Sequence, residues 1–184
     1  MIWIFDSSPL IYLNKVGLNW IFEQLEGEKI IPTQVYEQVI TQGKIRGDAD
    51  ALISEELVKK GVIKVVTTQD DFKEMLKSLK EELHEGELEV LALAKDKGGV
   101  AILDESIARE VGKVFKIEVH GALFLIFLMV KKGKMRKEEA RDKVDLMIRK
   151  GFRLGHEEYQ EFLKMLGNIQ KNVRSVCNCR DGKA

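Results

Sequence analysis

Short apolar runs alternate along the chain with longer stretches of helical periodicity, and this alternation predicts strands separated by helices. The first run, Ile2 to Phe5, contains no polar residue and is rich in β-branched and aromatic types, which is typical of a strand buried on both faces. Further apolar runs predict strands at 29–32, 62–66, 100–103 and 114–119. Such an order favours an α/β fold with a mainly parallel sheet, right-handed crossovers and helices on both faces.

Helical spacing of apolar residues fills the intervals between these strands. We expect Ser7 or Ser8 to N-cap the first helix, the stretch from Gly43 to Asp50 to form a polar loop, and Gly112 to end a short helix. The predicted helices span about 9–16, 18–25, 33–42, 49–60, 70–83, 87–95, 106–111, 122–130, 138–150 and 157–166.

Length, charge and cysteine content limit the classes of protein to which the chain can belong. A chain of 184 residues is long enough for one full core with an appendage. Lys plus Arg and Asp plus Glu both number 30, so nucleic acid would have to bind a local patch, such as the basic cluster at 131–137. The longest apolar run, 122–130, is too short to span a bilayer, and the sequence has no signal-peptide pattern. Cys177 and Cys179 alone supply too few ligands for a zinc site, so we expect a protein of the reducing cytoplasm.

Acidic residues stand where predicted strands give way to helices. Asp6 directly follows the first strand, and Asp104 with Glu105 follows the fourth. Glu87 opens a helix, and Glu37 lies in the helix after the second strand. Because parallel strands point their carboxyl ends to one edge of the sheet, these acids are expected to share a cleft if their strands are neighbours.

Several carboxylates in one cleft stay ionised only when a divalent cation neutralises them, and oxygen ligands select Mg²⁺ or Mn²⁺. Such an ion supports hydrolysis at phosphorus. The opposing interpretation is structural, since a chain with 30 acids places some beside strands by chance, and an acid at a helix start stabilises the helix dipole.

Four segments in sequence order resemble the PIN-domain family, in particular a prokaryotic branch of nucleic-acid-binding proteins related to VapC toxins. They are FDSSPLIYL, IPTQVYEQV, LHEGELEVLALA and ILDESIAREVG. The resemblance covers residues 1–134 in order, and the segment at 151–154 with its helix is also similar. It implies a three-layer α/β/α sandwich with additional C-terminal helices, and a metal-dependent endoribonuclease that cleaves single-stranded RNA.

The same resemblance implies roles for individual residues. Asp6, Glu87 and Asp104 or Glu105 would hold Mg²⁺ or Mn²⁺, and which of the last two binds metal stays open. Glu37 would orient or deprotonate the attacking water, which leaves a 5′ phosphate.

Substrate contacts are expected from the small residues beside the first acid and from one arginine. Ser7 or Ser8 would help to position metal or phosphate. Arg109 would either contact phosphate near Asp104 or form an ion pair with a nearby acid.

The resemblance also implies partners and an organisation. The expected partners are RNA, a small antitoxin protein if the chain is the toxin of a toxin–antitoxin pair, and a second copy in a homodimer. We expect a catalytic domain at 1–134, a helical extension packed on it at 135–168 and a disordered tail at 169–184. The alternative function is a catalytically silent PIN-like module that binds nucleic acid or protein. A phosphoaspartate phosphatase or receiver fits less well, because Asp6 is followed by Ser7 and Ser8 and the third strand ends in Thr67 and Thr68.

Overall fold

A computed structural model of the protein describes residues 1–68 and 83–169. Most of the helix predicted at 70–83 and nearly all of the predicted tail, with Cys177 and Cys179, lie outside these ranges. No helix in the described ranges is both long enough and apolar enough to cross a membrane.

The described residues form a five-stranded, wholly parallel sheet in the order β3-β2-β1-β4-β5. The strands are β1 (Ile2–Phe5), β2 (Glu28–Pro32), β3 (Lys64–Val66), β4 (Val100–Ile102) and β5 (Glu118–His120). The predicted α/β fold is therefore confirmed. The order of the strands places β1 at the centre and β4 beside it, with Phe5 opposite Ile102.

Helices occupy the connections between strands and continue after β5. They are α1 (Ser7–Lys15), α2 (Trp20–Gln24), α3 (Thr33–Tyr36), a π-helical turn (Glu37–Thr41), α4 (Gln42–Arg46), α5 (Ala49–Lys59), α6 (Glu85–Lys97), α7 (Ser106–Phe115), α8 (Ala122–Lys131), α9 (Lys137–Arg149) and α10 (His156–Asn168).

The central strand is buried on both faces, as its apolar run predicts. Ile4 and Phe5 are fully buried, and the Phe5 ring packs edge-on against Phe22 with 5.2 Å between centroids. The core extends past residue 134, because Val144 of α9 and Phe162 of α10 are fully buried in the same apolar cluster. The C-terminal helices therefore share the core of the sheet rather than forming one of their own.

The predicted end of a helix at Gly112 is wrong. Helix α7 continues through this glycine to Phe115, which leaves β5 only three residues, Glu118–His120. A Cβ at Gly112 would lie 2.4 Å from Val119 Cγ2. The missing side chain therefore allows α7 to approach the sheet. The helix is capped instead by Lys116, whose φ is 56°.

The predicted loop from Gly43 to Asp50 is also largely helical. Helix α4 includes Gly43 and ends at Arg46, so only Gly47 and Asp48 separate it from α5. A Cβ at Gly43 would lie 2.7 Å from Ala51 Cβ. This glycine is a close contact between two helices and not a helix terminator.

Candidate active site

The first acid lies at the carboxyl end of the central strand. Asp6, and not a serine, is the N-cap of α1, and its side chain accepts a hydrogen bond from the Ser8 backbone N–H at 3.4 Å. The Asp6 backbone N–H donates to Ile102 O at 2.9 Å, which ties this acid to β4. Asp6 is only 8% exposed, and burial raises its pKa, although the backbone N–H groups of Ser7 and Ser8 and the charge of His84 oppose this.

The second acid follows the neighbouring strand. Asp104 Oδ1 accepts a hydrogen bond from the Ala122 backbone N–H at 2.8 Å, at the start of α8. Its other oxygen, Oδ2, is buried and has no hydrogen-bond partner in the described structure. Burial raises the pKa of Asp104 to about 7, and the negative charges of Asp6 and Glu158 add to this rise, whereas Ala122 and Arg109 oppose it. An unpartnered carboxylate oxygen of this kind is stabilised by a proton or by a cation.

The third acid approaches from α6. Glu87 is half-buried in the first turn, and its Oε2 accepts a hydrogen bond from the His84 backbone N–H at 2.7 Å. Burial raises the pKa of Glu87, and the charges of Asp6 and Glu105 add to the rise. Electrostatic coupling therefore links the acids of three separate segments of the chain.

The fourth acid, Glu105, is exposed. It is the N-cap residue of α7, and its Oε1 accepts a hydrogen bond from Ser106 Oγ at 3.4 Å. The adjacent pair thus divides into Asp104, which points a buried oxygen inward, and Glu105, which lies at the surface near Glu87.

Glu37 and its neighbour Gln38 are both exposed in the π-helical turn but have different hydrogen-bond partners. Glu37 is exposed, and its Oε1 accepts a hydrogen bond from Gln42 Nε2 at 3.2 Å. Gln38 Oε1 instead accepts a hydrogen bond from Ser7 Oγ at 2.9 Å. A Cβ built on Gly86 would lie 3.6 Å from Asp6 Oδ1 and 3.7 Å from Gln38 Oε1, so Gln38 lies near Asp6.

Gln38 was not among the residues predicted for the site, because it carries no charge. Helical spacing offered a signal: Gln38 is three residues after the buried Val35 and shares its face, whereas Glu37 is two residues after it and does not.

The three residues predicted to contact substrate, Ser7, Ser8 and Arg109, have different partners in the structure. Ser7 is 5% exposed and is bound to Gln38, whereas Ser8 is half-buried and contributes its backbone N–H to Asp6. Arg109 forms an ion pair with Glu158 of α10 and also donates to the Asp104 carbonyl oxygen at 3.5 Å. The guanidinium therefore lies beside the second acid.

A family model for the PIN domain matches residues 2–168 of the chain. The chain belongs to the PIN-domain family. The match includes α9 and α10, and it confirms the resemblance seen in the sequence.

Similarity beyond the family model is limited. This PIN domain resembles a 2.2 Å resolution structure of VapBC-1 from nontypeable Haemophilus influenzae with 17% sequence identity and a TM-score of 0.47. The alignment covers 66% of this chain and 98% of the other. No curated protein matches the sequence.

The donor set of this PIN domain fits a hydrated hard cation better than a fully protein-coordinated one. Within residues 1–68 and 83–169, no three Asp, Glu, His or Cys side chains are close enough together to hold a metal ion. Asp6 and Asp104 nevertheless offer buried carboxylate oxygens, one of them unpartnered. Mg²⁺ commonly binds one or two carboxylates and keeps several waters, so two carboxylates of this kind fit a hydrated ion.

Proposed function

We propose that this PIN domain is a metal-dependent endoribonuclease that cleaves phosphodiester bonds in single-stranded RNA. The observation that carries the proposal is the buried Asp104 Oδ2, which has no hydrogen-bond partner in the described structure. Asp104 follows β4, and Asp6 follows the neighbouring strand β1. Burial raises the pKa of both acids, and a cation bound beside them would counter this rise by stabilising the ionised carboxylates.

In this proposal Asp6 and Asp104 hold Mg²⁺ or Mn²⁺. Glu87 of α6 and Glu105 at the start of α7 lie at the edge of the site. When bound, such an ion supplies an activated water and stabilises the charge that develops on the phosphate. Glu37 is proposed to orient the attacking water from the rim.

The remaining groups act on the substrate and on the first acid. Arg109 offers a guanidinium, which suits a phosphate oxygen. The Ser8 backbone N–H fixes the Asp6 carboxylate, and the Ser7 hydroxyl holds the Gln38 side chain at the edge of the site.

One observation favours the second candidate, a catalytically silent nucleic-acid-binding or protein-interaction module. The described residues contain no cluster of three potential metal ligands, and a site of two carboxylates binds a cation more weakly than a site of four.

The deciding experiment compares Asp6→Asn with Asp142→Asn, a matched change at an exposed position of α9. Each protein is incubated with 5′-labelled single-stranded RNA in Mn²⁺, in Mg²⁺ and in EDTA. We expect the wild type to cleave RNA only with metal and to leave 5′ phosphates. Asp6→Asn should lose about a hundredfold or more of this activity, and Asp142→Asn should keep it. The circular dichroism spectrum should be unchanged in both variants. Equal cleavage by Asp6→Asn, or cleavage that persists in EDTA, would contradict the proposal, and RNA binding without cleavage would favour the silent module.

We further propose that the protein acts in the cytoplasm as a homodimer and that, as a toxin, it is held inactive by a small antitoxin. Light scattering of the purified protein measures the oligomeric state. Growth arrest on expression of the protein, relieved by a small protein encoded beside it, would support the toxin assignment.

A further inference from the structure

A cleft of about 420 Å³ opens beside Asp104, between α8 and α10. Its lining is mainly apolar and rich in aromatic side chains, of which Phe124 and Phe127 are partly exposed. The principal apolar lining residues are Leu123, Phe124, Phe127, Phe152, Leu154 and Phe162. The volume falls in the range of sites that bind small molecules, about 300 to 1,000 Å³.

One wall of the cleft is a pair of stacked rings. The His120 and Phe124 rings are nearly parallel, at 8°, with 3.7 Å between centroids. Glu118 Oε1 lies 2.9 Å from His120 Nε2 and fixes the imidazole from its edge. Flat aromatic platforms of this kind stack unpaired nucleobases, because every base has a π-face.

Charged groups line the side of the cleft that adjoins Asp104. The Arg109–Glu158 ion pair spans α7 and α10, and its two side chains are 39% and 41% exposed. Arg153 and Glu161 also line the cleft and are exposed. Guanidinium groups bind phosphate, and carboxylates accept hydrogen bonds from the exocyclic amino groups of bases.

We propose that this cleft binds the base and ribose of one unstacked nucleotide beside the scissile phosphate, and that it prefers a base with an exocyclic amino group over uracil. The inference rests on the proposed function, because it takes Asp104 as the reacting end of the cleft. Its separate support is the combination of the stacked His120–Phe124 platform, carboxylates for the amino group and guanidinium groups for the phosphate.

Two leucines of α8 provide a matched test. Leu123 and Leu128 are both half-buried, but only Leu123 lines the cleft. Binding of CMP and of UMP to the full-length protein is measured by methyl NMR titration in EDTA, so that no cleavage is needed. We expect CMP to shift the methyl signals of Leu154 and UMP to bind about tenfold more weakly than CMP. Leu123→Trp should weaken CMP binding about tenfold, whereas Leu128→Trp should leave it unchanged. If a tryptophan variant does not fold, Leu123→Ala and Leu128→Ala give the same comparison.

Each alternative outcome has a definite meaning. Equal CMP binding by the Leu123 and Leu128 variants, or UMP binding as tight as that of CMP, overturns the proposal. Leu154 signals that shift with protein concentration and do not respond to CMP indicate that a second copy fills the cleft, which also overturns it. CMP binding that follows the expected pattern in a protein without nuclease activity supports the cleft and refutes only the proposed function.

Discussion

Ser7 Oγ donates a 2.9 Å hydrogen bond to Gln38 Oε1, and this bond joins the start of α1 to the π-helical turn. Ser7 directly follows Asp6, and the Gln38 oxygen lies as near to a Cβ built on Gly86 as Asp6 Oδ1 does, at 3.7 and 3.6 Å. A neutral amide therefore lies near Asp6, where a carboxylate would add negative charge.

Gln38→Glu is expected to tighten Mn²⁺ binding about tenfold, because affinity for a hard cation rises with the number of carboxylates in the site. Isothermal titration calorimetry measures the change, and Glu37→Gln is the neighbouring control. Weaker binding in Glu37→Gln, with no gain in Gln38→Glu, would instead identify Glu37 as the residue that faces the metal.

Asp104→Asn is expected to stabilise the metal-free protein at pH 8 but not at pH 4. The pKa of Asp104 is about 7 in the folded protein and 3.8 in the unfolded reference, so the folded state binds more protons between these values. Stability from this group is therefore present at acid pH and is lost as the pH rises toward 7. The gain at pH 8 should be roughly 1 to 4 kcal/mol in the free energy of unfolding, measured by urea denaturation. Added Mn²⁺ should then stabilise the wild type more than the variant, and a variant that is less stable than wild type at pH 8 without metal would refute the argument.

Gly121→Ala is expected to lower nuclease activity about tenfold or more while the protein stays folded. A Cβ at this position would lie 2.4 Å from Asp104 Oδ1, which must then move away from the Ala122 N–H. Gly167→Ala is the control, because no atom lies within 4 Å of its added Cβ. Activity is compared at saturating Mn²⁺, with circular dichroism to verify the fold. Full activity in Gly121→Ala would show that nuclease activity does not depend on the position of the Asp104 carboxylate.

Arg109→Ala is expected to raise KM for RNA with little effect on the melting temperature. The half-exposed pair with Glu158 contributes little to stability, whereas a lost phosphate contact weakens binding. The slope of log KM against log salt concentration should fall by about 0.7, as expected for one phosphate contact on a single strand. Arg149→Ala, at the exposed end of α9, is the control. An unchanged slope would place Arg109 outside the RNA-binding surface.

Phe162→Ala is expected to destabilise the whole protein by about 3 to 5 kcal/mol, because its fully buried ring belongs to the core that the sheet also uses. Denaturation should remain a single transition when followed by tryptophan fluorescence and by circular dichroism. Lys164→Ala, exposed on the same helix, should have little effect. Two separate transitions would instead indicate that residues 135–168 unfold as an independent extension.

The local pattern of apolar and polar residues was sufficient to predict most of the observed strands and helices. The apolar run from Ile2 to Phe5 predicts the buried central strand, because a strand that is buried on both faces has apolar residues at successive positions. The same holds for α8, α9 and α10, whose observed bounds lie within two residues of those predicted. Gly43 and Gly112 misled the prediction because a glycine that ends a helix and one that permits close packing look the same in sequence.

The candidate site was predictable only in part. Asp6 is identified by its own segment, because an acid directly after a buried strand lies at the carboxyl edge of the sheet. Gln38 shares the face of Val35 by its spacing, but its hydrogen bond to Ser7 joins residues 31 positions apart, which local spacing does not specify.

The sequence alone determined the alternation of strands and helices, the buried centre and the acids that follow β1 and β4. These features follow from the burial preference and backbone geometry of consecutive residues. Only the tertiary structure decided that Asp104 keeps one buried oxygen without a partner, that Arg109 pairs with Glu158, and that an aromatic cleft adjoins them. Each of these depends on contacts between segments far apart in the chain, whose relative positions are set by packing of the whole core.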